Sequence, residues 1–151
     1  MNKFIIPQEH DQYVNAIPHD LPILPLRNTV AYPFSILPLA VGVSRSVKLV
    51  EAALRGDRII GLLAMKDGSI EEPQPGQIHE VGTAARIFDV VRTSDNTMHV
   101  IIQGLERFRV ERWLGSEPYL RAKIALVPDV VDSDLELDAL QRSQADRQNR
   151  G

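Results

Sequence analysis

The stretches Glu106-Arg107-Phe108-Arg109-Val110-Glu111-Arg112 and Tyr119-Leu120-Arg121-Ala122-Lys123-Ile124-Ala125-Leu126-Val127 alternate apolar and polar residues on either side of the turn Gly115-Ser116-Glu117-Pro118. Successive side chains of a strand point to opposite faces. Phe108 and Val110 therefore share one side, and Arg107, Arg109 and Glu111 the other; Leu120, Ala122, Ile124 and Leu126 line up opposite Arg121 and Lys123. Two such strands joined by a Gly-and-Pro turn predict an antiparallel pair with one face buried and one in water.

Upstream, residues 81–92 and 98–103 flank Thr93-Ser94-Asp95-Asn96-Thr97, a polar cluster suited to a hairpin. The adjacent apolar pairs Ile87-Phe88 and Val90-Val91 around Asp89 cannot share one face by alternation, so a bulge or a change of sheet is expected there. Residues 66–79 hold Gly68, Pro73, Pro75, Gly76, Glu71 and Glu72 and read as loop. Residues 58–65 are a short apolar run interrupted by Gly61, which fits a strand buried on both sides.

One helix is expected over residues 45–55, with Ser44 as its cap, Val47, Val50 and Leu54 at helical spacing, and Gly56 as a left-handed stop. Residues 21–26 and 36–43 read as strands that carry Pro22, Pro25 and Pro38, which places them at edges or bulges; residues 28–33 connect them. The fold class that follows is mainly β with one or two helices, built as a small, partly closed, mostly antiparallel barrel.

The organisation reads as a flexible lead over residues 1–20, a barrel domain over 21–128 and the start of a helical linker over 129–151. In the last part Asp132 or Ser133 can cap a turn bearing Asp134 and Glu136, with Leu137 and Leu140 on one face. After Leu140 only Ala145 is apolar, so fraying is expected from about residue 141.

A length of 151 residues suits one domain with a substantial core. The hydrophobic content of 44% and charged content of 25% are those of an ordinary globule. Without cysteine there is no disulfide frame, thiol nucleophile or thiolate metal site, which fits a reducing compartment. Pro7 breaks the opening apolar run before it reaches the length of a secretory signal, and no run approaches the roughly 20 apolar residues of a membrane span. The reading is cytoplasmic, with no membrane partner.

The search for chemistry excludes more than it finds. His10, His19, His79 and His99 are scattered, without the spacing that holds a metal. No serine sits in a Gly-x-Ser-x-Gly elbow, and no Gly-x-x-x-x-Gly-Lys phosphate loop is present. No catalytic residue, cofactor ligand or metal ligand can be named in this chain. A basic strand face of Arg107, Arg109, Arg121 and Lys123, with Trp113 and Tyr119 for stacking, is the form an RNA-binding barrel would take. Interleaved Glu106, Glu111 and Glu117, an aromatic content of 5% and a net charge of −3 weigh against nucleic acid.

Three segments carry a resemblance to a known family. Leu24-Pro25-Leu26-Arg27-Asn28-Thr29-Val30-Ala31-Tyr32-Pro33, Glu80-Val81-Gly82-Thr83 and Gly104-Leu105-Glu106-Arg107-Phe108 occur in the order of their counterparts in the amino-terminal domain of ATP-dependent Lon proteases, which the chain resembles from about residue 21 to 127. The resemblance implies a PUA-like barrel that recognises substrate and aids assembly without cutting, since the family's catalytic Ser and Lys lie in another domain. It implies as partners unfolded or misfolded polypeptides, and the protein's own ATPase and protease domains in a ring-shaped homo-oligomer, a hexamer in the family. ATP and Mg2+ would serve that ATPase domain.

Arg27, Asn28, Gly82, Gly104, Glu106 and Arg107 match the family and read as structural, the glycines at bulges or strand ends and Arg27 on loop carbonyls or Glu106. The family commonly follows its Phe-Pro pair with Gly or another small residue, whereas Tyr32-Pro33-Phe34 ends on a ring.

The candidate polypeptide-binding residues are Val30, Tyr32, Pro33, Phe34 and Ile36, a dense apolar group where loops usually carry polar side chains. The competing structural assignment has Val30, Ile36 and Leu37 plugging the end of the barrel, with Tyr32 and Phe34 left outside. The alternative function is a free-standing adaptor that binds one folded partner through the same barrel.

Overall fold

The computed structural model describes residues 7–27, 29–93, 95 and 97–127. The helical start expected within residues 129–151 lies outside them. The elements run α1 (Pro7–Asn15), β1 (Asp20–Leu26), β2 (Ile36–Val41), α2 (Ser44–Leu54), β3 (Ile59–Ala64), β4 (Val81–Arg92), β5 (Met98–Gly115) and β6 (Arg121–Leu126). The sheet has the order β2-β5-β4-β3-β1-β6, and β6 pairs again with β5. Five strands thus form a ring, with β2 added outside it along the first part of β5. The β1–β6 ladder spans only Asp20 to Pro22, so closure on that side is short. Every strand pairing is antiparallel except β1–β3, whose connection passes through β2 and α2.

Two clusters make the core, and β3 is the partition between them. Ile59 and Leu63 face the ring interior with Leu21, Ile23, Leu105, Phe108, Ala122 and Ile124. Ile60 and Leu62 face the other cluster with Leu24, Leu26, Val41, Ile87, Ile102 and the α2 residues Leu49 and Val50. A strand with a buried cluster on each side has no place for polar residues, which accounts for its unbroken apolar run.

The helix of residues 44–54 forms without a side-chain cap. Ser44 lies inside it, and Val43 occupies the cap position without a side-chain hydrogen bond. A missing cap costs about 1 kcal/mol. Burying Leu49 and Val50 contributes about 1.5–3 kcal/mol each, so packing outweighs the loss. Gly56 is not the left-handed residue either; that conformation falls to Arg58, at φ 66°. The Arg58 N–H donates to the Ala53 carbonyl and Asp57 Oδ1 accepts from the Ile59 N–H, which fixes the entry into β3.

Three further expectations change. The lead of residues 1–20 is not without elements from Pro7 onward: α1 forms, and Tyr13, Val14 and Ile17 pack on the ring cluster. β1 is not an edge strand, since it pairs with β6 over its first half and β3 over its second. Backbone donors alternate sides along a strand, and Ile23 N–H donates towards β6, to the Leu120 carbonyl. Pro22 therefore lacks a donor on the β3 side before that ladder starts, and Pro25 on the β6 side after that ladder ends. Finally, the strands expected over 98–103 and 106–112 are one continuous β5, with register shifts opposite Ala84/Ala85 and between Val110 and Arg112. The bulge expected around Asp89 is present, since the register passes from Ile87 to Asp89 and skips Phe88.

Candidate functional site: an apolar loop held by its backbone

Between β1 and β2 the chain crosses the outside of the sheet, and its backbone is fastened from Ala31 to Ser35. Arg27 donates to the Gly68 and Glu71 carbonyls at 2.6 and 3.2 Å, the loop-carbonyl role expected for it. Ala31 is buried, and its carbonyl accepts 2.8 Å from the hydroxyl of Thr83, itself fully buried on β4. Tyr32 to Ser35 form a turn in which the Ser35 hydroxyl donates to the Tyr32 carbonyl at 2.6 Å. The Phe34 N–H then donates to the Gly104 carbonyl at 2.9 Å, and the Gly104 N–H to the Ser35 carbonyl at 2.8 Å.

Gly104 is required by this approach. A Cβ there would lie 2.0 Å from the Tyr32 carbonyl oxygen, so the loop and any side chain at 104 exclude each other. Gly82 is under the same constraint, its Cβ position being 2.1 Å from the Leu62 carbonyl oxygen. Both glycines serve close contact between backbones.

The side chains go the opposite way. Val30, Tyr32 and Phe34 are 53%, 52% and 59% exposed, whereas Pro33 and Ile36 are half-buried. Phe34 adopts φ 68°, a conformation that costs a non-glycine residue about 1–2 kcal/mol and is offset here by the two hydrogen bonds to Gly104. Arg107 of β5 places its guanidinium carbon 5.7 Å from the Tyr32 ring centroid. Single exposed apolar residues are ordinary on any surface. Three within five residues, on a loop whose backbone is tied down, form a patch.

Of the proposed plug residues, Val30 is outside and Ile36 and Leu37 are half-buried, Leu37 against the second cluster. The support beneath the loop comes from Thr83, given no role by sequence, from Gly104, read as structural, and from Arg107, read as structural and as part of a basic strand face. The motif residues around positions 83 and 104–107 were the available signal, but nothing in their pattern says that they meet residues 31–35.

The aromatic residues considered for base stacking belong to the packing: Trp113 lies against the ring cluster and Tyr119 against the other. Arg121 is paired with Asp20. A cavity of about 290 Å³ lies between β1, β2 and the start of α2. Its arginines are already engaged, Arg27 with loop carbonyls and Arg45 with the Pro73 carbonyl and Glu117. Among the described residues no group of three acidic, His or Cys side chains is placed to hold a metal, and no helix is long and apolar enough to cross a membrane.

Residues 20–150 match the family described as the ATP-dependent protease La (LON) substrate-binding domain. A Lon protease of Dictyoglomus thermophilum is 42% identical over 127 residues, which is 84% of this chain and 16% of that protein. Lon protease 2 of Sorangium cellulosum is 42% identical over 121 residues, 80% of this chain and 15% of that protein. The chain thus spans about one sixth of these relatives. A Lon N-terminal domain protein of Xanthomonas campestris superposes with a TM-score of 0.58 at 26% identity, over 73% of this chain and 61% of that one. The N-terminal domain of a Mycobacterium avium complex Lon protease shares the fold, with a TM-score of 0.55 at 20% identity, over 83% of this chain and 69% of that one.

Proposed function

The chain belongs to the family of Lon protease substrate-binding domains, and from that membership we infer that it captures unfolded or damaged polypeptides through the loop of residues 30–36. The observation that carries this reading is the display of Val30, Tyr32 and Phe34 on a loop whose backbone is pinned to Thr83 and Gly104. Pinning matters physically because a patch already ordered before binding gives up little entropy when a client arrives.

An unfolded chain offers accessible apolar side chains, and a folded one mostly does not. Capture by one such loop is weak. Several copies in a ring-shaped homo-oligomer raise the effective concentration and hold a client that no single copy retains. In this reading the parent protein is an ATP-dependent serine endopeptidase of the cytoplasm. ATP and Mg2+ act in its ATPase domain, and this chain cuts nothing.

The test is binding of a labelled unfolded protein against a labelled single-stranded RNA, each at two salt concentrations. Retention of the polypeptide at both salts supports the reading. Strong, salt-sensitive RNA binding without polypeptide binding overturns it. Binding of one folded partner only would point to an adaptor instead.

A further inference from the structure

Beside the apolar loop the outward face of β5 carries Arg107 and Arg109, followed by Glu111. Arg107 and Arg109 are two residues apart on that face, with the buried Phe108 between them. Arg107 leans over Tyr32, and Arg109 stands opposite Val81 of β4, a further large apolar side chain that is 50% exposed. From the tip of the loop to Val81, apolar and cationic groups therefore form one continuous strip.

Among the described residues no carboxylate forms a salt bridge with Arg107 or Arg109. Glu106, the nearest in sequence, uses its Oε1 to accept from the Arg107 backbone N–H. Farther along the sheet Arg121 is paired with Asp20, which also stands opposite Lys123 in the β1–β6 ladder. Arg107 and Arg109 thus sit where the exposed apolar side chains are, on a chain whose formal charge is −3.

We propose that this strip selects clients in which an apolar or aromatic side chain is closely flanked by Asp or Glu, carboxylates meeting Arg107 and Arg109 while the ring or aliphatic chain lies against Tyr32, Phe34 and Val81. The proposal rests on the polypeptide-capture reading and narrows its substrate class. The spacing suits an extended peptide, since residues two apart repeat about every 7 Å along either strand. Polypeptide is favoured over nucleic acid by what lies between the cations. Val30 and Val81 are aliphatic and cannot stack on a base, and Arg107 already lies over the Tyr32 ring.

The experiment uses short fluorescein-labelled peptides with one common Phe-Leu-Phe centre flanked by Asp, Ser or Lys, read by fluorescence anisotropy at about 50 mM and about 300 mM salt. The Asp-flanked peptide is expected to bind about five- to tenfold more tightly than the Ser-flanked one at low salt, the gain of two exposed ion pairs. That preference should shrink at high salt, and the Lys-flanked peptide should bind weakest. Arg109→Gln, which removes one of the two pairs, should cut the preference to about two- to threefold; Arg109 is chosen because Arg107 also supports the Tyr32 ring. Equal binding of the three peptides, with capture intact, overturns the acidic preference alone. Binding of none of them overturns the capture reading together with it. Displacement of the Asp-flanked peptide by a single-stranded RNA of lower dissociation constant overturns the choice of polypeptide.

Discussion

Tyr13 in α1 and Tyr32 in the β1–β2 loop each lie beside an arginine of the sheet, Arg86 at 4.5 Å from the first ring centroid and Arg107 at 5.7 Å from the second. Tyr13 is half-buried and packs with Val14 and Ile17 on the ring cluster; Tyr32 is 52% exposed. The same ion–ring contact accompanies opposite outcomes. What differs is how each segment is anchored. α1 satisfies its own backbone, as a helix does, and has only side chains with which to dock. The loop satisfies its backbone on Thr83 and Gly104, and Val30, Tyr32 and Phe34 stay exposed. A segment held by side chains hides them, and one held by backbone can display them.

The most severe way to break this contrast is at the loop's anchor. Gly104→Ala puts a methyl group where the Tyr32 carbonyl oxygen lies, and urea unfolding should show a loss of about 3 kcal/mol or more. Displacing α1 should cost less. Ile17→Ala removes a buried side chain at the margin of the ring cluster and is expected to lose about 2 kcal/mol, with polypeptide capture unchanged at temperatures where the domain stays folded.

Phe34→Gly sharpens the comparison from the other side. It relieves the strained φ but adds freedom to the unfolded chain, so stability should stay within about 1 kcal/mol of the parent while capture weakens. If stability instead falls as it does for Gly104→Ala, the Phe34 ring is a packing element rather than a displayed one.

The smallest effect concerns the neighbouring loop that Arg27 grips. Hydrogen bonds from the Ser69 backbone and hydroxyl hold the Asp67 carboxyl below its usual range. A group depressed in the folded state adds stability above its unfolded pKa and loses it as pH falls through the folded one. Acidification below the ordinary carboxylate range should therefore loosen the Asp67–Ser69 turn, seen as a lower protection factor at the Ser69 amide with the strands still protected.

Most of the β architecture could be read from the chain because its signals are local. Alternation at Phe108 and Val110 and at Leu120, Ala122 and Ile124 matches the buried face, and between β4 and β5 the Thr93 N–H donates to the Thr97 carbonyl. The bulge at Phe88 was visible as two apolar pairs that could not share a side. What could not be read depended on distant partners. β5 looked like two strands because Gly104 and Leu105 interrupt the period, and only the crossing loop explains that interruption. α1 has too few apolar residues to show a helical stripe, and it is organised by the surface it meets.

The candidate site divides in the same way. The proline-stiffened apolar turn singled out Tyr32 and Phe34 as the residues to check for exposure without deciding it, while the burial of Ala31 and the half-burial of Ile36 follow from contacts with β4 and β5. Sequence spacing gave no hint that Arg107 would stand over Tyr32.

The most direct test is the paired substitution Tyr32→Ser with Phe34→Ser, followed by unfolding and by binding of a labelled unfolded protein. With both rings outside the core, the unfolding midpoint should stay close to that of the parent and capture should drop by about tenfold or more, as expected when two exposed anchors are removed. A melted domain, or a folded one that holds its client as well as before, would contradict the account.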